Sequence, residues 1–244
     1  MERCDFVNDK LKLIQETDGL TFGTDALLLA GYINGKYRRG CEIGSGSGII
    51  SMLLATREKV SSCTALEVQE EYALLTKKNI ELNGLEEKIQ VIHTDVRDYK
   101  SDGEFDIVYS NPPYMKTDSG KKNALDKKNI ARHEVCGDIK DFCTAARKML
   151  KFGGCFAAVY RTDRLMDLLT AMRDNKIEPK RITFVHADTE SEPSMALVEG
   201  KAGGRCGLLV TKPLIIYQDK EHVKYSDDMN YIMENGSFPS AYKR

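Results

Sequence analysis

The run Asn111-Pro112-Pro113-Tyr114 follows an apolar, strand-like segment at residues 105–109 and brings together groups of complementary chemistry. Each proline fixes φ and removes a backbone donor, so the pair stops the strand and leaves carbonyls to accept. Asn111 then stands at a rigid strand end. Its carboxamide oxygen and the Pro112 carbonyl can each accept one hydrogen of an amino group, and Tyr114 offers a flat face for stacking. An amino nitrogen conjugated to a π-system is a poor nucleophile until its lone pair leaves conjugation. Two acceptors on its two hydrogens favour that rehybridisation. Taken alone, the same four residues also read as a proline-stabilised loop with a capping Asn.

Three further signals lie upstream. Glu42-Ile43-Gly44-Ser45-Gly46-Ser47-Gly48 joins a strand to a helix, and Gly44, Gly46 and Gly48 allow a tight turn with close approach of a ligand to the helix N-terminus. A dinucleotide fingerprint would need Gly where Ile49 stands. Glu67 ends the next strand 19 residues beyond Gly48, the spacing at which an acid reaches ribose hydroxyls in doubly wound folds. Asp95 follows a third strand, placed to accept from an adenine amino group, with Val96 as an apolar face. Each signal has an ordinary alternative: a tight connection, a surface Glu, a helix cap. In order, they fall on one edge of a sheet, where such folds bind ligands.

The elements that must position these residues show in the hydrophobic pattern. From residue 40 onward strands and amphipathic helices alternate, which predicts a parallel sheet covered on both faces. Strands are predicted at residues 40–43, 63–68, 89–93, 105–109, 155–160 and 181–186, and helices at 48–58, 70–82, 138–150 and 163–175. Residues 195–199 return antiparallel as a hairpin partner, and 208–210 and 214–217 form short extra strands. Gly84 closes the second of these helices and Gly153-Gly154 the third. Before residue 40, the Asp18-Gly19 pair predicts a hairpin between residues 10–15 and 20–22. Thr24 or Asp25 then caps an apolar helix. The chain divides into residues 1–38, a hairpin and helix covering the ligand site, a main domain at 39–217, and a polar tail at 218–244 with a weak helix at 227–234 and a mobile end.

At 244 residues the chain is long enough for a full core. Its formal net charge of -1 excludes binding to nucleic acid through a global field, leaving local clusters of its 36 Lys and Arg residues. Seven cysteines with no C-x-x-C pair read as reduced thiols. No apolar run approaches the roughly 18 residues needed to cross a bilayer, so a soluble cytoplasmic protein without a membrane segment is predicted.

With these residues in view, the chain resembles the class I methyltransferases that modify adenine N6, guanine N2 or glutamine N5. Leu11-Lys12-Leu13-Ile14-Gln15, Asp18-Gly19 and Phe22-Gly23-Thr24-Asp25-Ala26-Leu27-Leu28-Leu29-Ala30 are similar to the bacterial family that methylates N6 of the adenine beside the anticodon of a valine tRNA. Ala131-Arg132-His133-Glu134 and Val198-Glu199-Gly200-Lys201 share that similarity, which extends to Tyr217. The resemblance implies an α/β, Rossmann-like doubly wound sheet of seven strands with an N-terminal β-hairpin extension, and S-adenosyl-L-methionine as cofactor. It implies cofactor contacts from Phe22, Thr24, Glu42, Gly44, Ser45, Gly46, Gly48, Glu67, Val68, Asp95, Val96 and Asn111, and catalysis by Asn111, Pro112 and Tyr114, with no metal.

The implied partner is tRNA. Residues 116–132 carry an excess of four positive charges, so Lys116, Lys121, Lys122, Lys127, Lys128 and Arg132 are candidate phosphate contacts, joined by His133, Lys201 and Arg205. The expected enzyme is a monomer or homodimer. A sister activity on an rRNA guanine or a protein glutamine shares the Asn-Pro-Pro-Tyr loop, although those relatives usually carry a larger domain before the Gly-rich turn. An NAD-dependent oxidoreductase is disfavoured by Ile49, and a non-catalytic RNA-binding module would have no need of Asn111.

Overall fold

The computed structural model describes residues 2–8, 11–16, 23–112 and 137–243. Its N-terminal hairpin pairs β1 (Glu2–Asn8) with β2 (Leu11–Glu16). The predicted hairpin instead paired residues 10–15 with the following segment, 20–22, which lies outside the described residues. Asn8 supplies the turn signal that the Asp-Gly pair obscured, its side-chain oxygen accepting from Leu11 N at 3.0 Å. Next come α1 (Thr24–Tyr32), β3 (Tyr37–Ile43), α2 (Ile49–Thr56), β4 (Val60–Glu67), α3 (Glu70–Leu82), β5 (Ile89–His93) and β6 (Phe105–Ser110). The chain continues through α4 (Ile139–Met149), β7 (Leu150–Arg161), α5 (Leu165–Asp174), β8 (Ile177–His186), β9 (Met195–Ala202), β10 (Leu209–Val210), β11 (Leu214–Ile215) and α6 (Asp227–Asn235).

The sheet runs β10-β8-β9-β7-β6-β3-β4-β5, with β11 also on β8. Seven strands form its body, and β10 and β11 add two residues each along one edge. Strands β3 to β7 pair in parallel, while β9 is antiparallel to both β7 and β8. The order reverses between β3 and β6, and the carboxyl ends at such a switch point form a ligand crevice. Alternation along β7 shows how two cores arise. Ala157 and Val159 face the layer of α1 and α2, whereas Phe156, Ala158 and Tyr160 face α4 and α5. Gly153 and Gly154, predicted to end a helix, lie inside β7, because α4 already stops at Met149 with Leu150 in extended conformation.

Helix α1 has every residue from Ala26 to Tyr32 buried, as a helix apolar on all sides must be. Part of its cover comes from the tail, whose weak helix predicted at 227–234 is α6 and whose end was expected to be mobile. Met229, Ile232, Phe238 and Tyr242 are buried in the same cluster as α1 and α2, and Phe238 meets Tyr32 edge-on at 5.3 Å between ring centroids. Arg181 fastens that corner, its guanidinium donating to the carbonyls of Tyr242 (2.9 Å) and Tyr32 (2.8 Å) while pairing with Glu199. Polarity misled the tail prediction, since four apolar side chains within a charged stretch suffice to anchor it.

The hairpin is held on α3 by two amides. Asn79 accepts from Ile14 N (2.7 Å) and donates to Ile14 O (3.1 Å), and Asn83 does the same for Lys12 at 2.9 and 2.8 Å. One helical turn advances about 5.4 Å and two strand residues about 6.8 Å, so side chains four apart on α3 match alternate residues of β2. Asn79 also donates to Ser47 O at 3.0 Å, joining the hairpin to the Gly-rich turn.

Candidate active site

The Gly-rich turn leaves β3 with Gly44, Gly46 and Gly48 all at positive φ, of 72°, 56° and 79°. Gly44 N and Ser45 N both donate to Leu66 O at the end of β4, at 2.9 and 3.1 Å. At Gly48 a Cβ would come within 2.7 Å of Thr76 Cγ2, so space and backbone both exclude a side chain. The Thr76 hydroxyl on α3 donates to Gly46 O at 2.7 Å and fixes the crown of the turn.

Glu67 is buried and closes this turn from the next strand. Its Oε2 accepts from Gly46 N and its Oε1 from Gln69 N, both at 2.9 Å. Burial raises its pKa, against the backbone N–H groups of Gln69, Gly46 and Val68 that favour the anion. The acid predicted to bind ribose therefore also braces the turn. A carboxylate offers about four lone-pair directions, so hydroxyls can be added to these two bonds. Val68 follows half-buried, its carbonyl accepting from His93 Nε2 at 3.0 Å.

Glu42 lies deeper than a ligand-facing acid would. Alternation with Cys41 and Ile43 turns it to the α2 face, where its Oε2 accepts from Ser51 N at 3.1 Å and from the Ser51 hydroxyl. Burial pushes its pKa up to about 8, partly offset by the Ser51 bonds. Ser51 continues to the Tyr109 hydroxyl (2.9 Å) and Cys63 Sγ (3.1 Å) in a buried polar knot that has no local signature.

Asp95, predicted to accept from adenine, is engaged by its neighbour. Both of its oxygens take hydrogen bonds from Arg97, with the Nε at 2.9 and 3.0 Å, and this pairing lowers the Asp95 pKa. The Asp95 carboxylate is 19% exposed and the Arg97 side chain 43%, so the pair lies at the surface. Val96, expected as an apolar face, is buried in the same core cluster as Ile43 and Leu66.

Ser110 carries Asn111 to the edge of the Gly-rich turn, its hydroxyl donating to Ile43 O at 2.7 Å and pinning the end of β6 to that of β3. Asn111 is half-buried, and its Nδ2 donates to Asp25 Oδ2 at 2.8 Å. Pro112, the next residue, is buried. Thr24 and Asp25 occupy the first turn of α1, with Gly23 at the N-cap, so neither is the cap predicted for it; Thr24 is exposed. Ser110, Thr76 and Asn79 carried no sequence signal as site residues, and Asp25 was expected only as a helix cap and part of the cover over the ligand.

Phe22, Tyr114, Lys116, Lys121, Lys122, Lys127, Lys128, Arg132 and His133 lie outside the described residues. Lys201 and Arg205 are described and stand apart from the site. Ser110 pairs with Ala158 while Cys155 pairs with Lys201, so Lys201 lies about four strand residues, roughly 13 Å along the sheet, from the level of Asn111. The register thus sets Lys201 back from the strand end that carries Asn111.

The residues fit a nucleoside that carries an amino acid: a glycine-rich turn with three left-handed glycines at a helix N-terminus, closed by the buried Glu67 carboxylate at the end of the next strand. Among the described residues no group of His, Cys, Asp or Glu is arranged to hold a metal ion. Nor is any described helix long and apolar enough to cross a membrane. A Gly-rich turn after the first parallel strand, an acid on the next strand and an amide at the switch point define the class I methyltransferase architecture. A solved structure described as a predicted O-methyltransferase from Agrobacterium tumefaciens shares it, with a TM-score of 0.71 at 22% identity over 88% of this chain and 98% of that one.

The family model for the methyltransferase small domain matches residues 17–175, and the chain belongs to that family. Its curated relatives include proteins named tRNA1(Val) (adenine(37)-N6)-methyltransferase. One from Bacteroides thetaiotaomicron is 30% identical over 179 residues, covering 72% of this chain and 74% of the relative. Another, from Dyadobacter fermentans, is 29% identical over 141 residues, which is 57% of this chain and 58% of that protein.

Proposed function

We propose that this chain transfers a methyl group from S-adenosylmethionine to the exocyclic N6 of adenine 37 in the anticodon loop of a valine tRNA, the substrate named for its relatives. The observation that supports the reading is the Ser110–Ile43 hydrogen bond, which ties the strand end before Asn111 to the strand that leads into the Gly-rich turn. The cofactor supplies an activated methyl group. Gly44, Ser45, Gly46 and Gly48 surround its amino-acid end, Glu67 takes the ribose hydroxyls, and Asp95 takes the base once Arg97 gives way. Residues 1–38 form the part of the chain that covers this site.

An anticodon-loop adenine is already partly unstacked, so its entry costs little. Asn111 Oδ1 and the Pro112 carbonyl accept the two N6 hydrogens and Tyr114 stacks on the ring. Holding both hydrogens draws the lone pair out of conjugation and aims it at the methyl carbon. Positioning and charge stabilisation then supply most of the rate, and the proton leaves to water after transfer. The basic stretch at residues 116–132, with His133, grips the RNA. Of the alternatives, a guanine or glutamine acceptor offers the same amino group to the same amide, and the choice among them rests with the relatives' substrate.

The test is to incubate the protein with labelled cofactor and unmodified tRNA and map the methylated nucleoside. Asn111→Ala should lower kcat at least about tenfold to a hundredfold while leaving S-adenosylhomocysteine affinity nearly unchanged. Equal losses in both would recast Asn111 as a cofactor residue.

A further inference from the structure

The NH2 group of Asn111 faces a carboxylate, with Nδ2 2.8 Å from Asp25 Oδ2. A carboxylate only accepts, so the nitrogen must be the atom turned toward it, and Oδ1 lies on the other side of Cγ. Without such a neighbour, the two orientations of an Asn amide differ by a half turn about one soft torsion. Choosing between them matters here, because the wrong one would set NH2 against NH2.

Asp25 is itself held. Its Oδ1 accepts from Ala26 N at 2.9 Å, and it sits in the first turn of α1, where the helix dipole favours negative charge. Gly23 provides the space. Its backbone, with φ -109° and ψ 166°, is open to any residue. A Cβ added there would nevertheless lie 2.5 Å from Asp25 Oδ1, and its three nearest atoms all belong to that carboxylate group.

We propose that Asp25 is a positioning residue for methyl transfer, holding Asn111 so that Oδ1 is presented to the substrate amino group. This rests on the reading that Asn111 acts on that nitrogen. In the transfer a nitrogen–carbon bond forms while the carbon–sulfur bond breaks and leaves its electron pair on sulfur. The nitrogen carries positive charge until its surplus proton passes to water. A carboxylate behind the amide polarises it and strengthens Oδ1 as an acceptor for that charge. Gly23 belongs to the same device, by leaving the carboxylate room.

Asp25→Ala, Asp25→Asn, Gly23→Ala, Asn111→Ala and the Asp25→Ala/Asn111→Ala double variant decide the matter, with an unmodified valine tRNA transcript as substrate. Asp25→Ala should lower kcat about tenfold to a hundredfold, with KM for tRNA and affinity for S-adenosylhomocysteine within about threefold of wild type. Asp25→Asn, able to accept or donate, should fall between Asp25→Ala and wild type. Gly23→Ala removes no polar group and should still lower kcat. In the Asn111→Ala background the Asp25 substitution should cost nothing more. The Asn111 side-chain amide resonances, assigned by their absence in Asn111→Ala, should shift in Asp25→Ala and Gly23→Ala. Additive losses in the double variant, or amide resonances unmoved in Asp25→Ala, would overturn the proposal. A wild-type protein that leaves the transcript unmethylated would instead refute the substrate assignment, and the resonances would still decide the role of Asp25.

Discussion

Replacing Glu42 with Gln should abolish a pH dependence of stability that the wild-type core builds in. The Glu42 carboxyl has its pKa pushed from 4.5 to about 8, chiefly by burial, with the two Ser51 bonds pulling the other way. Because the folded value lies above the unfolded one, the folded state binds the proton more tightly. The resulting stabilisation is fully present below about pH 4.5 and is lost as pH rises through about 8. Between those limits the slope is about 1.4 kcal/mol per pH unit, and over the whole interval the change approaches ~5 kcal/mol. Gln keeps an oxygen for Ser51 N and carries no titrating proton. Urea unfolding of wild type and Glu42→Gln at pH 5 to 9 measures the difference. Wild type should lose a few kcal/mol relative to the variant across that range, and parallel curves would refute the account of a carboxyl held neutral by its burial.

Other consequences are as direct. Glu67→Ala should weaken S-adenosylhomocysteine binding by about 1.5 to 3 kcal/mol, the scale of hydrogen bonds to a charged group; unchanged affinity by calorimetry would remove the ribose from that strand end. Phe238→Ala should destabilise the fold by about 3 to 5 kcal/mol in denaturant titrations, because its ring packs edge-on against both Tyr32 and Tyr242. An independent tail would instead leave the midpoint unmoved. Changing Lys121, Lys122, Lys127 and Lys128 to Ala should reduce the salt slope of tRNA binding by roughly one to three, at about 0.7 per phosphate on a single strand. Parallel slopes for wild type and variant would place the RNA grip elsewhere.

What the sequence revealed and what it hid divide along a physical line. Features written in local pattern came through: the alternation that builds β3 to β7, the left-handed turn at Gly44 to Gly48, and the acid that ends β4. Features that depend on partners far along the chain did not. Nothing local to Asp25 says that its carboxylate will meet residue 111, and nothing in β2 announces that Asn79 and Asn83 will serve as its neighbouring strand. The pairing of residues 2–8 with β2 went unexpected because one turn signal, Asp-Gly, outweighed the strand-forming character of residues 2–8. Glu42 was read as part of a ligand motif, although its alternation with Cys41 and Ile43 already directed it toward α2. The tail was judged by average polarity, whereas anchoring depends on a few apolar contacts.

The packing of Phe238 and Tyr242 against α1 also bears on how the chain is made. Helix α1 is finished by residue 32, yet part of its apolar surface is covered only by residues 229–242. At about 5 to 20 residues per second, translation takes roughly 10 to 40 s to cross that interval. Throughout it, a helix that is buried on every side in the native state has part of its cover still unmade. Completion of this core is therefore a late event in synthesis, and the nascent chain offers α1 to chaperones for tens of seconds.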